Sequence, residues 1–73
     1  MAKTLYSKEY KRLVQKLKKA RLECGLNQVA VGKLLKKEQT FVSKVEAGQY
    51  RLDAIQLSLF AKIYKKDLKY FFS

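Results

Sequence analysis

One stretch of twenty residues, Asn27 to Glu46 (NQVAVGKLLKKEQTFVSKVE), constrains this chain more than any other. Wound at about 100° per residue, Gln28 to Leu35 sets Ala30, Val31, Leu34 and Leu35 on one side. Gln28, Val29, Gly32 and Lys33 share the other side. Lys36-Lys37-Glu38 breaks the period. From Gln39 to Glu46 it resumes, with Phe41, Val42 and Val45 opposite Gln39, Thr40, Ser43 and Lys44. Two short amphipathic helices joined by a tight turn match a helix-turn-helix unit.

The outer face of the second helix carries side chains that suit base edges. Gln forms paired bonds, Thr and Ser single ones, and Lys meets guanine. A solvated face of any small bundle would look similar, so the pattern alone leaves both readings open.

The rest of the chain sets bounds. It holds 73 residues, 17 basic and 6 acidic, giving a net charge of +11 and room for one domain, residues 1–73. One Cys and no His leave no intrachain disulfide and no zinc set. Without His the usual general base near neutral pH is missing, which weighs against an enzyme. No cofactor or small-molecule ligand is suggested. A pI near 10.0 favours a polyanionic partner. No apolar run reaches membrane-spanning length, MAKTLYSKEY lacks the apolar core of a signal peptide, and a cytoplasmic setting is expected.

Around the central stretch the chain predicts further helices. Met1 to Tyr6 reads as a lead-in. Ser7 can cap a first helix running to about Cys24, with Tyr10, Leu13, Val14, Leu17, Ala20 and Cys24 as its core stripe. Cys24 reads as a small buried hydrophobe. Gly25 ends that helix and Asn27 caps the next. Gly48 closes the third, and Asp53 caps a fourth that is apolar on more than one side and so expected to be the most buried. Asp67 opens a short fifth. With no Pro and no alternating pattern, the expectation is all-α: a compact bundle of five helices. Residues 67–73 are a candidate dimer contact, because Tyr70, Phe71 and Phe72 are too apolar to stay wet. They either fold back on the core or meet a second copy, and the small size of the domain favours the copy.

From about Leu17 to Phe72 the chain resembles the Cro and phage-repressor type of helix-turn-helix regulator. Arg21 precedes Gly25-Leu26-Asn27-Gln28; eighteen residues past that Gln comes Glu46-Ala47-Gly48, then Arg51-Leu52-Asp53. The run Gln39 to Glu46 is similar to the pattern Q-[ST]-F-V-S-K-x-E found in one branch of this family.

The resemblance implies a lambda-repressor-like fold and a sequence-specific transcriptional regulator that binds double-stranded DNA as a homodimer on a near-palindromic operator. It assigns base contacts to Gln39, Thr40, Ser43 and Lys44, and backbone phosphates to Asn27, Gln28 and Arg51. Lys36, beside the recognition helix, is added to the phosphate set. It also implies an internal ion pair between Arg21 and Glu46. Three positions depart from the pattern: Lys36 stands where Gly is usual, Lys37 where an apolar residue is common, and Gly32 replaces Ala. The alternative from another class is a protein-interaction or antitoxin-like helical module whose basic face meets an acidic partner.

Overall fold

The computed structural model describes residues 7–72, so the expected lead-in, Met1 to Tyr6, lies outside it. Five helices follow in order: α1 (Lys8–Glu23), α2 (Gln28–Leu35), α3 (Gln39–Glu46), α4 (Ala54–Tyr64) and α5 (Leu68–Phe72). Among the described residues there is no strand.

Each boundary has a local cause. Ser7 Oγ accepts from the Tyr10 amide at 3.1 Å and starts α1. Gly25, at φ 72°, turns the chain left-handed after it, and the Leu26 amide returns to the Arg21 carbonyl at 3.2 Å. Asn27 Oδ1 takes the Ala30 amide at 2.8 Å and starts α2. Asp53 and Gln56 cap α4 reciprocally, with bonds of 2.7 and 3.1 Å. Glu38 occupies the corresponding position before α3 but makes no side-chain cap bond.

The core draws on every helix. Leu17 and Ala20 of α1, Val31 of α2, Val42 and Val45 of α3, Phe60 and Tyr64 of α4 and Phe71 of α5 are all buried. Four readings change. In α2 the buried residues are Val31 and Gly32, while Leu34 is 59% exposed. A residue without a side chain carries no hydropathy signal of its own, and Gly32 is buried because the turn backbone crosses it. A Cβ there would lie 2.9 Å from the Lys37 carbonyl oxygen. Next, α4 is buried on one face only: Leu57, Phe60, Ala61 and Tyr64 point inward, whereas Ile55 and Leu59 remain exposed. A chain this short has too few helices to surround one of them. Cys24 is exposed, and its thiol donates to the Tyr64 carbonyl at 3.3 Å.

The fourth change is in the tail. Phe71 is buried in the core of its own chain. Tyr70 is half-buried, its carbonyl accepting from Lys16 Nζ at 3.0 Å and its ring flanked by Lys16 and Lys66. Phe72 alone of the three aromatics is exposed. Of the two alternatives for the tail, Phe71 takes the fold-back one and is not available to a second copy, whereas Phe72 stays exposed.

Candidate nucleic-acid interface

The two helices of the central stretch pack directly on one another, and the turn between them is held by the Lys37 amide bonding the Gly32 carbonyl at 2.8 Å. Lys36 ends α2 in the left-handed region, φ 59°. That geometry costs roughly 1–2 kcal/mol in a residue with a Cβ. With Val42 and Val45 fixed inward, the helical period turns Gln39, Thr40, Ser43 and Lys44 outward, and all four are exposed. Phe41 is half-buried, edge-on to Tyr50 at 5.0 Å, with Lys37 Nζ 5.5 Å above its ring. The Lys37 stem thus runs over apolar surface while its amine stays wet.

Behind this ridge lies a directional chain of hydrogen bonds. Arg21 Nε donates to Glu46 Oε2 at 2.6 Å, and Arg21 Nη2 to Glu46 Oε1 at 3.1 Å. The two side chains are 8% and 4% exposed. The carboxylate acts on Arg21 mainly as a hydrogen-bond acceptor and raises its pKa above the usual value, against the opposing effect of burial. Glu46 Oε1 also takes Gln28 Nε2 at 3.0 Å, and Gln28 Oε1 takes Gln39 Nε2 at 3.1 Å.

Chemistry sets the polarity of this relay. A guanidinium only donates and a carboxylate only accepts. Gln28 must therefore turn its amino group to Glu46 and its carbonyl to Gln39, which in turn must donate. Gln39 is left with its carbonyl oxygen and its second amide hydrogen for a ligand. One acceptor beside one donor is the pair that complements N6 and N7 of adenine.

The residues that the resemblance assigns to phosphate lie at the start of α2, in the turn after it and in the loop after α3. Asn27 is exposed at the start of α2, its Oδ1 used in the cap. Gln28 is half-buried, and its main visible role is the bridge between Glu46 and Gln39. That role escaped the sequence reading because it depends on a partner eighteen residues away. Lys36 is exposed in the turn. Arg51 is exposed in the loop after α3, its Cζ 5.6 Å from the centre of the Tyr10 ring. Thr40 Oγ1 donates to Glu38 Oε1 at 3.4 Å, a contact also absent from the sequence reading.

The acids divide: Glu38 stays exposed at the head of α3, beside Gln39 and Thr40, whereas Glu46 and Glu23 are engaged away from the ridge surface. Glu46 is consumed by the relay, and Glu23 pairs with Lys66 at 3.1 Å elsewhere. Among the described residues no group of His, Cys, Asp and Glu could hold a metal ion. No helix there is long and apolar enough to cross a membrane.

The family described as helix-turn-helix matches residues 17–71, most of the chain. No curated protein and no solved structure matches it. By that match and by its all-helical bundle, the chain belongs to the helix-turn-helix family of Cro and phage-repressor type DNA-binding regulators.

Proposed function

We propose that this regulator is a non-enzymatic, cytoplasmic protein that binds a near-palindromic operator as a homodimer. One α3 enters the major groove of each half-site. Gln39 pairs with an adenine edge, Thr40, Ser43 and Lys44 read the neighbouring bases, and Asn27, Gln28, Lys36 and Arg51 grip the flanking phosphates. The observation that supports this best is the relay ending at Gln39, which leaves one acceptor and one donor on an exposed amide. The N-terminus of α2 adds to it, since free amides and the helix dipole favour an anion there. The net charge of +11 supplies attraction to the duplex. Dimerisation draws on apolar side chains left uncovered, among them Phe72 at 70% and Ile55 at 74% exposure.

Selection of bound duplexes from a random pool tests the whole reading. The expected product is a two-fold symmetric site with half-sites about 34–36 Å apart. Gln39→Ala relaxes the preference at one position per half-site by ~1–3 kcal/mol. If no duplex is preferred at moderate salt, the chain is instead a helical module for an acidic protein partner.

A further inference from the structure

The loop between α3 and α4 carries Arg51 and has no regular structure of its own, yet it is fastened along its whole length. The Gln49 amide returns to the Lys44 carbonyl at 2.9 Å. The Tyr50 hydroxyl takes Gln56 Nε2 at 3.2 Å, and its ring rests on Phe41. The Tyr50 carbonyl takes the Tyr10 hydroxyl at 2.8 Å, and the Leu52 amide donates to that same hydroxyl at 3.1 Å.

A phenol has one hydrogen to give and lone pairs to receive. Here it gives to the residue before Arg51 and receives from the residue after. The Tyr10 ring meanwhile lies beneath the Arg51 guanidinium, within range of a cation–π contact. One buried side chain, forty residues away in sequence, therefore clips the loop on both sides of Arg51 and gives its head group a surface to rest on.

We infer that Tyr10, which lies upstream of the matched residues 17–71, is a positioning residue for DNA binding that sets Arg51 in place before the duplex arrives. This rests on the reading of Arg51 as a phosphate ligand. A loop ordered in advance spends none of its contact energy on ordering when it binds. The contribution goes to the backbone, so it is felt by every sequence alike and leaves base preference unchanged.

The test is a competition assay on the full chain, using a selected operator and a scrambled duplex. Circular dichroism fixes a temperature at which every variant is folded. Tyr10→Phe keeps the ring and removes the clip, and is expected to weaken both duplexes roughly three- to tenfold, the range for a lost neutral hydrogen bond. Arg51→Ala weakens both as well, and adding Tyr10→Phe to it costs less than about twofold more. The inference is overturned if Tyr10→Phe binds like the unmodified chain, or if it costs the same factor with Arg51 already removed. An inert Arg51→Ala would reject the phosphate role and the Tyr10 inference together. An Arg51→Ala that weakens binding beside an inert Tyr10→Phe rejects the second alone. A further measurement needs no variant: the Leu52 amide should resist hydrogen exchange in the free protein. Protection that arises only after duplex is added would show that DNA, not Tyr10, orders the loop.

Discussion

Glu46 offers the sharpest test of what holds the recognition helix in place. Its carboxylate accepts three hydrogen bonds, two from Arg21 and one from Gln28, with only 4% of the side chain exposed. Glu46→Ala leaves the Arg21 guanidinium buried without its counter-charge. Breaking a buried pair in this way costs ~3–5 kcal/mol. The low end applies, because 8% of the Arg21 side chain still meets water and Arg21 Nη1 keeps its 2.9 Å bond to the Leu26 carbonyl. A core of this size supplies only ~3–5 kcal/mol in all, so a loss of ~3 kcal/mol consumes most of the stability. At ~4–8 °C per kcal/mol for a small domain, the melting midpoint falls by roughly 12–24 °C. Replacing both partners by apolar residues, Arg21→Met with Glu46→Leu, removes the stranded charge and is expected to recover most of that fall. Thermal melts followed by far-UV circular dichroism measure all three chains. A Glu46→Ala midpoint within ~4 °C of the unmodified one would put the pair in the class of surface ion pairs and refute the reasoning.

Other substitutions probe the turn and the core. Gly32→Ala places a Cβ within 2.9–3.3 Å of three backbone atoms of the turn, the Gln39 nitrogen among them. Overpacking of ~1–3 kcal/mol should outweigh the ~1 kcal/mol gained in helix propensity, so a melt that is not lowered would show that the turn yields freely. Lys36→Gly and Lys65→Gly each relieve a left-handed backbone, φ 59° and 57°, and both are expected to raise the melting midpoint. Only Lys36→Gly should also weaken duplex binding in a titration; equal binding by both variants would remove Lys36 from the interface. The Tyr64 hydroxyl is buried with no hydrogen-bond partner among the described residues, and burial raises its pKa. Tyr64→Phe is therefore expected to leave stability unchanged or improve it, and a loss above about 1 kcal/mol in urea denaturation would contradict that.

What could be read from the residues depended on how far each signal had to reach. Helix ends were legible because Ser7, Asn27 and Asp53 act on amides three residues away. The apolar side of α3 was also legible, since Phe41, Val42 and Val45 repeat at the helical period. In α2 hydropathy places Val31 and Leu35 correctly but not Leu34, which turns outward, or Gly32, which turns inward because the approach of the Lys37 carbonyl depends on the turn and not on side-chain polarity. The exposure of Ile55 and Leu59 depends on how many neighbours α4 has, a property of the whole bundle. Most of the candidate site came from matching spacings rather than from chemistry visible in isolation. The bridge through Gln28 and the clip made by Tyr10 join residues 18 and 40 positions apart, and neither leaves a local mark.

The relay from Arg21 to Gln39 also bears on how such a regulator could change its target. Exchanging Gln39 for an arginine, to favour guanine, keeps a donor facing the Gln28 carbonyl, so the upstream bonds persist. Exchanging it for a glutamate sets oxygen against oxygen, so the bond to Gln28 is lost and the new carboxylate turns to solvent. Retargeting by single replacements is thus easy in one chemical direction and obstructed in the other. An acidic reader held by the same relay needs a donor from residue 28 as well.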